Sequence, residues 1–196
     1  MTKIKLCGLS RVEDINAANE LCPEFIGFVF AEKSRRYISP EKAAELKKFL
    51  RKEISAVGVF VDAEIGKVAT LANQNIIDAI QLHGNEDDDY IKNLRTLTDK
   101  LIIKAYRFNC ALRITPYALP LIDAGAGDGK IFDWSLIKNF SRPYFLAGGL
   151  TPENVSAAIK FLQPFAVDVS SGIETNGRKD AAKMRKFVTA ARGAIL

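Results

Sequence analysis

The pattern of apolar and polar positions switches repeatedly between two periods along the chain. Short apolar runs of strand type fall at 3–7, 25–30, 56–61, 77–82, 101–105, 118–123, 143–147 and 165–169. Longer stretches with apolar residues at helical spacing follow most of them, at 11–21, 40–52, 64–73, 87–96, 152–161 and 179–193. Ser39-Pro40 and Thr151-Pro152-Glu153 carry helix start signals, with proline suited to a first turn. The piece at 106–117 holds a proline and little periodicity, so the helix after the fifth strand is expected to be short or missing. A second short helix is expected near Trp134. Strict alternation of about eight β/α units predicts an α/β fold, a (β/α)8 TIM barrel forming one catalytic domain over residues 1–196. An open doubly wound sheet needs fewer strands and usually a glycine-rich first turn, and Cys7-Gly8-Leu9-Ser10 offers one glycine.

Composition narrows the class of function. With 48% hydrophobic and 26% charged residues, the chain has the balance of a soluble globular domain. Its net charge is +5, but the 28 basic residues are spread among 23 acidic ones and never run longer than a pair. That distribution argues against nucleic acid as a partner and leaves a solvated basic surface or the steering of a small anion. Cysteines stand at 7, 22 and 110 without paired or metal-like spacing, and a single histidine, His83, argues against a histidine-based metal site. The N-terminal residues run straight into a strand pattern, with no signal-peptide character and no apolar run of membrane-spanning length. A cytoplasmic protein is expected, with no membrane association and no obligate protein partner evident.

In barrels of this type chemistry sits at the C-terminal ends of the strands. Those positions hold Cys7, Arg36, Asp62, His83, Lys104, Asp123 with Asp133 beyond it, Gly148-Gly149 and Ser170-Ser171-Gly172. They are far more polar than the strand interiors. Phosphate is often held between the loops after strands seven and eight, where glycine lets backbone N–H groups approach an anion and small hydroxyls add donors. Gly148, Gly149, Ser170, Ser171 and Gly172 occupy those loops, although the glycines could serve only to turn the chain.

Parity adds detail. Lys3, Lys5 and Cys7 share one face of the first strand, and Ala166, Asp168 and Ser170 share one face of the eighth. If Cys7 points into the barrel mouth, Lys5 lies one layer below it, and Asp168 meets either the substrate or an inward lysine. Gln81 and His83 share a face of the fourth strand, where His83 either fixes a loop at the mouth or touches the ligand. A lone intracellular cysteine is ordinarily a small buried hydrophobe, and that reading is kept for Cys22 and Cys110.

Eight segments in order then carry a family resemblance. Lys5-Leu6-Cys7-Gly8, Gly27-Phe28-Val29-Phe30, Lys33-Ser34-Arg35-Arg36-Tyr37-Ile38-Ser39-Pro40 and Val57-Gly58-Val59-Phe60-Val61 open the series. Gln81-Leu82-His83-Gly84, Phe132-Asp133-Trp134, Ala147-Gly148-Gly149-Leu150-Thr151-Pro152-Glu153-Asn154-Val155 and Val167-Asp168-Val169-Ser170-Ser171-Gly172-Ile173-Glu174 complete it. Together they resemble the phosphoribosylanthranilate isomerase family of tryptophan biosynthesis.

That resemblance implies an Amadori rearrangement by general acid–base catalysis on a small phosphorylated substrate, with no cofactor and no metal, since the substrate's own nitrogen is the electron sink. Residue by residue, it implies that Cys7 is the base, Asp133 the acid, and Arg36 the partner of the anthranilate carboxylate. A guanidinium meets a carboxylate bidentately, as lysine cannot. The base needs positive charge nearby, which Lys5 would supply. The acid needs a poorly solvated setting, which Phe132 and Trp134 would supply, although Asp133 is also placed to cap the helix at Trp134. Gly125-Ala126-Gly127-Asp128-Gly129 stands where the family has a glycine-rich phosphate loop, and Asp128 departs from that pattern. Two related phosphosugar barrels fit less well: a histidine-pathway isomerase resembles a protein with aspartate at the Cys7 position, and indole-glycerol phosphate synthase wants a lysine acid with glutamates at strand ends. A non-catalytic phosphate-binding barrel would not need both Cys7 and Asp133.

Overall fold

A computed structural model describes residues 1–107, 114–123, 134–138 and 140–194. Eight parallel strands, β1 (Lys3–Cys7), β2 (Phe25–Val29), β3 (Ser55–Phe60), β4 (Ala79–Leu82), β5 (Leu101–Arg107), β6 (Leu119–Asp123), β7 (Phe145–Ala147) and β8 (Ala166–Val169), close into one barrel in sequence order. Their side chains are buried on both faces, which is why they read as nearly continuous apolar runs. The inner face is filled by Phe25, Val57, Ala79, Ile103, Leu121, Phe145 and Ala166 among others. At the N-terminal end the rings of Phe145 and Phe165 meet edge to face at 5.7 Å, and the Lys3 ammonium lies 4.7 Å from the Phe165 ring. That end is plugged, so access is from the other.

Helices α1 (Val12–Leu21), α2 (Pro40–Lys47), α3 (Ile65–Asn73), α4 (Asp88–Leu97), α5 (Val155–Leu162) and α6 (Ala181–Arg192) are the regular helices among the described residues. Their apolar faces cover the outer strand surface in two clusters, one around Ile4, Ile26, Leu146 and Val167 and one around Phe60, Ile80 and Ile102. No helix is present in residues 114–118 between β5 and β6; that turn is pinned by Arg142, which donates to the carbonyls of Thr115 and Ala118 at 3.0 and 3.3 Å. The expected short helix near Trp134 is a single 3-10 turn, Trp134–Ile137.

Three helix boundaries differ from expectation by two residues or more, each for a local reason. α2 ends at Lys47 because Lys48, Phe49 and Leu50 bond to carbonyls three residues back, tightening the last turn. Pro152 precedes α5 instead of opening it: the Asn154 side chain accepts from Thr151 N–H at 2.8 Å and donates to Gly149 C=O at 2.9 Å, shaping a turn that delays the helix to Val155. α6 begins at Ala181, where Asp180 accepts from Ala182 and Lys183 N–H. The residues before it form a small antiparallel ribbon, β9 (Glu174–Thr175) with β10 (Arg178–Lys179), turned by Asn176-Gly177 with φ of 52° and 75°. Positive φ at both central residues is the hallmark of a two-residue hairpin turn.

Candidate active site

Register places Lys5 directly beside Asp168 across the β1–β8 seam. The Lys5 side chain is fully buried, and its Nζ donates to both Asp168 oxygens at 3.1 Å. Lys5, Cys7 and Asp168 therefore all point into the barrel, as parity predicted, and of the two partners foreseen for Asp168 the lysine is the one in place. Cys7 sits one layer nearer the open end, packed with Val29 and Val59. Room for both groups comes from Gly27 on β2: a Cβ there would lie 2.6 Å from Cys7 Sγ and 3.2 Å from Lys5 Nζ.

The electrostatics are less simple than a lysine lowering a thiol. Burial pushes the Cys7 thiol up, Lys5 pulls it down, Asp168 pushes it up again, and Lys179 adds a smaller downward pull; burial prevails. Burial by itself would lower Lys5, but Asp168 and Cys7 outweigh it and hold the ammonium protonated. The site at rest is thus a thiol over a neutralised ion pair. Lys5 is where it was expected, but Asp168 consumes much of its charge.

Arg36, in the β2–α2 loop, lies over Gly8, whose absent Cβ would fall 2.6 Å from Arg36 Cδ. Its guanidinium is already forked onto Glu174, Nε to Oε1 at 2.6 Å and Nη2 to Oε2 at 2.9 Å. Two of its five N–H groups are used, so three remain for a ligand. Glu174 Oε1 also accepts from Lys179 Nζ at 2.6 Å, and these two cations hold the Glu174 carboxyl at about 2 despite the upward push of burial. Lys179 Nζ donates in turn to Ser170 C=O at 2.9 Å and Ser170 Oγ at 3.2 Å, and Ser170 Oγ donates to Cys7 C=O at 3.2 Å. Neither Glu174 nor Lys179 stands out in the sequence as a site residue: helical spacing from 179 onward hides the lysine, and the partners of Glu174 are set by folding.

On the opposite wall Gln81 Nε2 lies 3.0 Å from His83 Nδ1, and His83 Nε2 is 3.7 Å from Asp123 Oδ2. The two polar strand ends beside them serve the scaffold. Asp62 accepts from the backbone and side chain of Asn85 at 2.6 and 3.2 Å, and Lys104 faces out of the barrel to bond Glu86 at 2.9 Å and Gly84 C=O at 2.7 Å. A hollow of about 320 Å³ beside that pair is walled by Glu86, Asp87, Asp88, Asp89 and Lys104. Its acidic wall suits no phosphate, and it lies apart from Cys7.

The two expected phosphate loops are in contact. Gly148 and Gly149 have φ of 89° and 64°, beyond what most side chains tolerate. Gly172 lies in a 3-10 turn, Ser171–Ile173, and a Cβ on it would stand 2.0 Å from Leu150 C=O. The glycine there is required by the close approach of one loop to the other. Asp133, Cys110 and the Gly125–Gly129 stretch lie outside the described residues. Cys22 corrects an expectation: it is exposed, taking a left-handed conformation that closes α1, its Sγ 3.1 Å from Asn19 C=O. Among the described residues no cluster of histidine, cysteine and carboxylates is arranged for a metal ion, and no helix is long and apolar enough to cross a membrane.

Comparison with known proteins decides the family. The model for N-(5'-phosphoribosyl)anthranilate (PRA) isomerase matches residues 4–190. The chain belongs to the phosphoribosylanthranilate isomerase family. An N-(5'-phosphoribosyl)anthranilate isomerase of Caldanaerobacter subterraneus subsp. tengcongensis is 42% identical over 207 aligned positions, covering 100% of both chains. One from Endomicrobium trichonymphae is 42% identical over 195 positions, covering 96% of this chain and 97% of its own. The crystal structure of phosphoribosyl anthranilate isomerase from Thermotoga maritima superposes with a TM-score of 0.90 at 37% identity, over 98% of this chain and 100% of that one. A phosphoribosyl anthranilate isomerase crystallised with reduced 1-(o-carboxyphenylamino)-1-deoxyribulose 5-phosphate gives 0.86 at 36% identity, over the same shares.

Proposed function

We propose that Cys7 and Asp133 are the base and the acid with which this isomerase converts N-(5-phosphoribosyl)anthranilate into 1-(2-carboxyphenylamino)-1-deoxyribulose 5-phosphate. The acid protonates the furanose ring oxygen as its bond to C1′ breaks, leaving an open-chain Schiff base. The base removes the proton from C2′; that C–H pair forms the C1′=C2′ bond and the C=N π pair moves onto the nitrogen, giving an enolamine. Tautomerisation yields the ketone. The nitrogen of the substrate accepts the electrons, so the chemistry asks the protein only for proton transfer and positioning.

The observation that carries this reading is the thiol of Cys7 at the open end of the barrel, inward-facing, with a buried ammonium one layer below it. Thiolate is the reactive form, and a cation within the same low-dielectric wall favours it. Arg36, clamped by Glu174, has N–H groups left for the anthranilate carboxylate. Asp168 uses one lone pair on each oxygen for Lys5 and retains capacity to accept from sugar hydroxyls. The phosphate is assigned to backbone N–H groups of Gly149, Ser171 and Gly172, with Gly148 and Ser170 shaping the two loops. His83 is assigned to the substrate-facing wall, its orientation set by Gln81. The partner is a small phosphorylated molecule, and a cytoplasmic location suits an enzyme of amino-acid biosynthesis.

The test is the pH dependence of kcat/KM with purified protein. The base must be deprotonated and the acid protonated in the same molecule, so the active fraction is lost at both low and high pH. The expected result is a bell whose limbs belong to the pair. Cys7→Ala and Asp133→Asn should each lower kcat by about 10²–10⁴-fold with product binding retained. A Cys7→Ala enzyme with near-normal turnover would defeat the assignment.

A further inference from the structure

The charged groups around Cys7 do not balance. Facing it are Lys5 from β1, Asp168 from β8, Arg36 from the β2–α2 loop, Glu174 from β9 and Lys179 from β10. Lys5 and Asp168, 3.1 Å apart, neutralise each other in formal charge, and Asp168 offsets part of the pull of Lys5 on the thiol. Arg36 and Lys179 share the single carboxylate of Glu174, at 2.6 Å from each. Among the described residues one positive charge is left over at this rim. It is not dissipated into water at Lys179, whose side chain is only 2% exposed, whereas that of Arg36 is 24% exposed. A buried charge is screened far less than an exposed one.

We propose that Lys179 is a positioning residue for the base: its buried ammonium, anchored by Glu174 and both oxygens of Ser170, shares the surplus positive charge with Arg36 and adds to Lys5 in favouring the Cys7 thiolate. The anchoring explains how a lysine stays charged in such a place. Burial lowers its affinity for a proton, and Glu174, with Cys7, restores part of it. The geometry also ties the ammonium to the strand that carries the base, through Ser170 Oγ to Cys7 C=O. Lys179 thereby acts through Cys7 without touching the reacting atoms, and the small β9–β10 ribbon becomes part of the catalytic apparatus. This inference rests on Cys7 being the base, but its test reads the thiol directly.

The experiment measures the rate at which iodoacetamide alkylates Cys7 in the intact protein at pH 8, followed by peptide mass spectrometry so that Cys22 and Cys110 do not interfere. Below its pKa a thiol reacts in proportion to its thiolate fraction, which falls tenfold for each unit of upward shift. Lys179→Met and Lys179→Gln remove the charge, the second keeping a donor for Ser170, and each is expected to slow alkylation by about 3–10-fold, the effect of a nearby charge on a pKa of half to one unit. Lys179→Arg keeps the charge and is expected to stay within about twofold of the wild type. Neutral variants that react as fast as the wild type would overturn the proposal. So would an equal slowing by all three, which would mean packing and not charge. If instead Cys7→Ala retained turnover, the assignment of the base would fall while the ranking of thiol rates stood.

Discussion

Removing one member of the Lys5–Asp168 pair should cost far more than removing both. Lys5 is fully buried and donates to both oxygens of Asp168 at 3.1 Å, so Asp168→Asn leaves an ammonium in the barrel interior facing a neutral amide. At an effective dielectric of about 20, charges at that separation attract by about 5 kcal/mol, and the cost of breaking one side of a buried pair is typically about 3–5 kcal/mol. For a chain of this size each kcal/mol lowers Tm by about 2–4 °C, so Asp168→Asn should melt roughly 6–20 °C lower at pH 7. Lys5→Met should fall in the same range, because it strands the carboxylate. The double variant, Lys5→Met with Asp168→Asn, removes both charges and should melt no lower than the worse single variant. A pH series adds an independent mark. In Asp168→Asn the isolated lysine takes a folded-state pKa below its unfolded value, so the unfolded chain binds more protons and stability rises with pH across that interval. The deficit should shrink between neutrality and about pH 10. Thermal melts of the four proteins form a double-mutant cycle. Additive losses would refute the reasoning, since they would mean that the two groups are stabilised by something other than each other.

Two further outcomes follow from the loops. Gly172→Ala would put a methyl group 2.0 Å from Leu150 C=O, which only a shift of backbone can relieve, so competitive inhibition by inorganic phosphate should weaken at least tenfold while Cys7 alkylation is unchanged; unaltered phosphate affinity would remove the two-loop anion site. Glu174, held at about 2 against an ordinary 4.5, adds stability that is complete above 4.5 and lost as pH falls toward 2. The full shift is worth about 3 kcal/mol, but solvent screening around the partly exposed Arg36 reduces this to about 1–2 kcal/mol. Acid unfolding of Glu174→Gln should therefore be less steep than that of the wild type between pH 4.5 and 2, and parallel curves would contradict it.

Period and parity made most of the fold legible. A barrel whose strands are buried on both faces leaves apolar runs that differ sharply from the amphipathic helices between them, and the eight runs at 3–7 through 165–169 each became a strand. Parity alone oriented Lys5, Cys7 and Asp168, since successive residues of a regular strand face opposite ways. What period could not give was local geometry. Asn176-Gly177 is a recognised hairpin signal, but helical spacing from 179 onward hides the short return strand Arg178–Lys179 that follows it. The pairing of Arg36 with Glu174 spans 138 positions in sequence and depends on barrel closure, so no spacing rule reveals it. Likewise, that Gly172 serves a contact with Leu150 is visible only once the two loops meet.

The same closure explains why a reactive cysteine needs more than the lysine below it. The interior that brings Lys5 under Cys7 also excludes water, and exclusion favours the neutral thiol. Lys5 cannot stand alone there, because an unpaired ammonium in the barrel would be too costly, and the carboxylate that stabilises it also repels a thiolate. The pair in the core therefore secures the fold, while Asp168 offsets part of what Lys5 does for the base. Raising a base's pKa makes each thiolate more basic, yet its population falls tenfold per unit and its proton-abstracting power rises by less than that, since Brønsted coefficients lie below one. A charge that moves the thiol toward ambient pH thus increases the rate overall. Such a charge must be buried enough to act, yet partly compensated so that it stays ionised. Lys179, on a ribbon after the last barrel strand and sharing Glu174 with Arg36, meets both conditions.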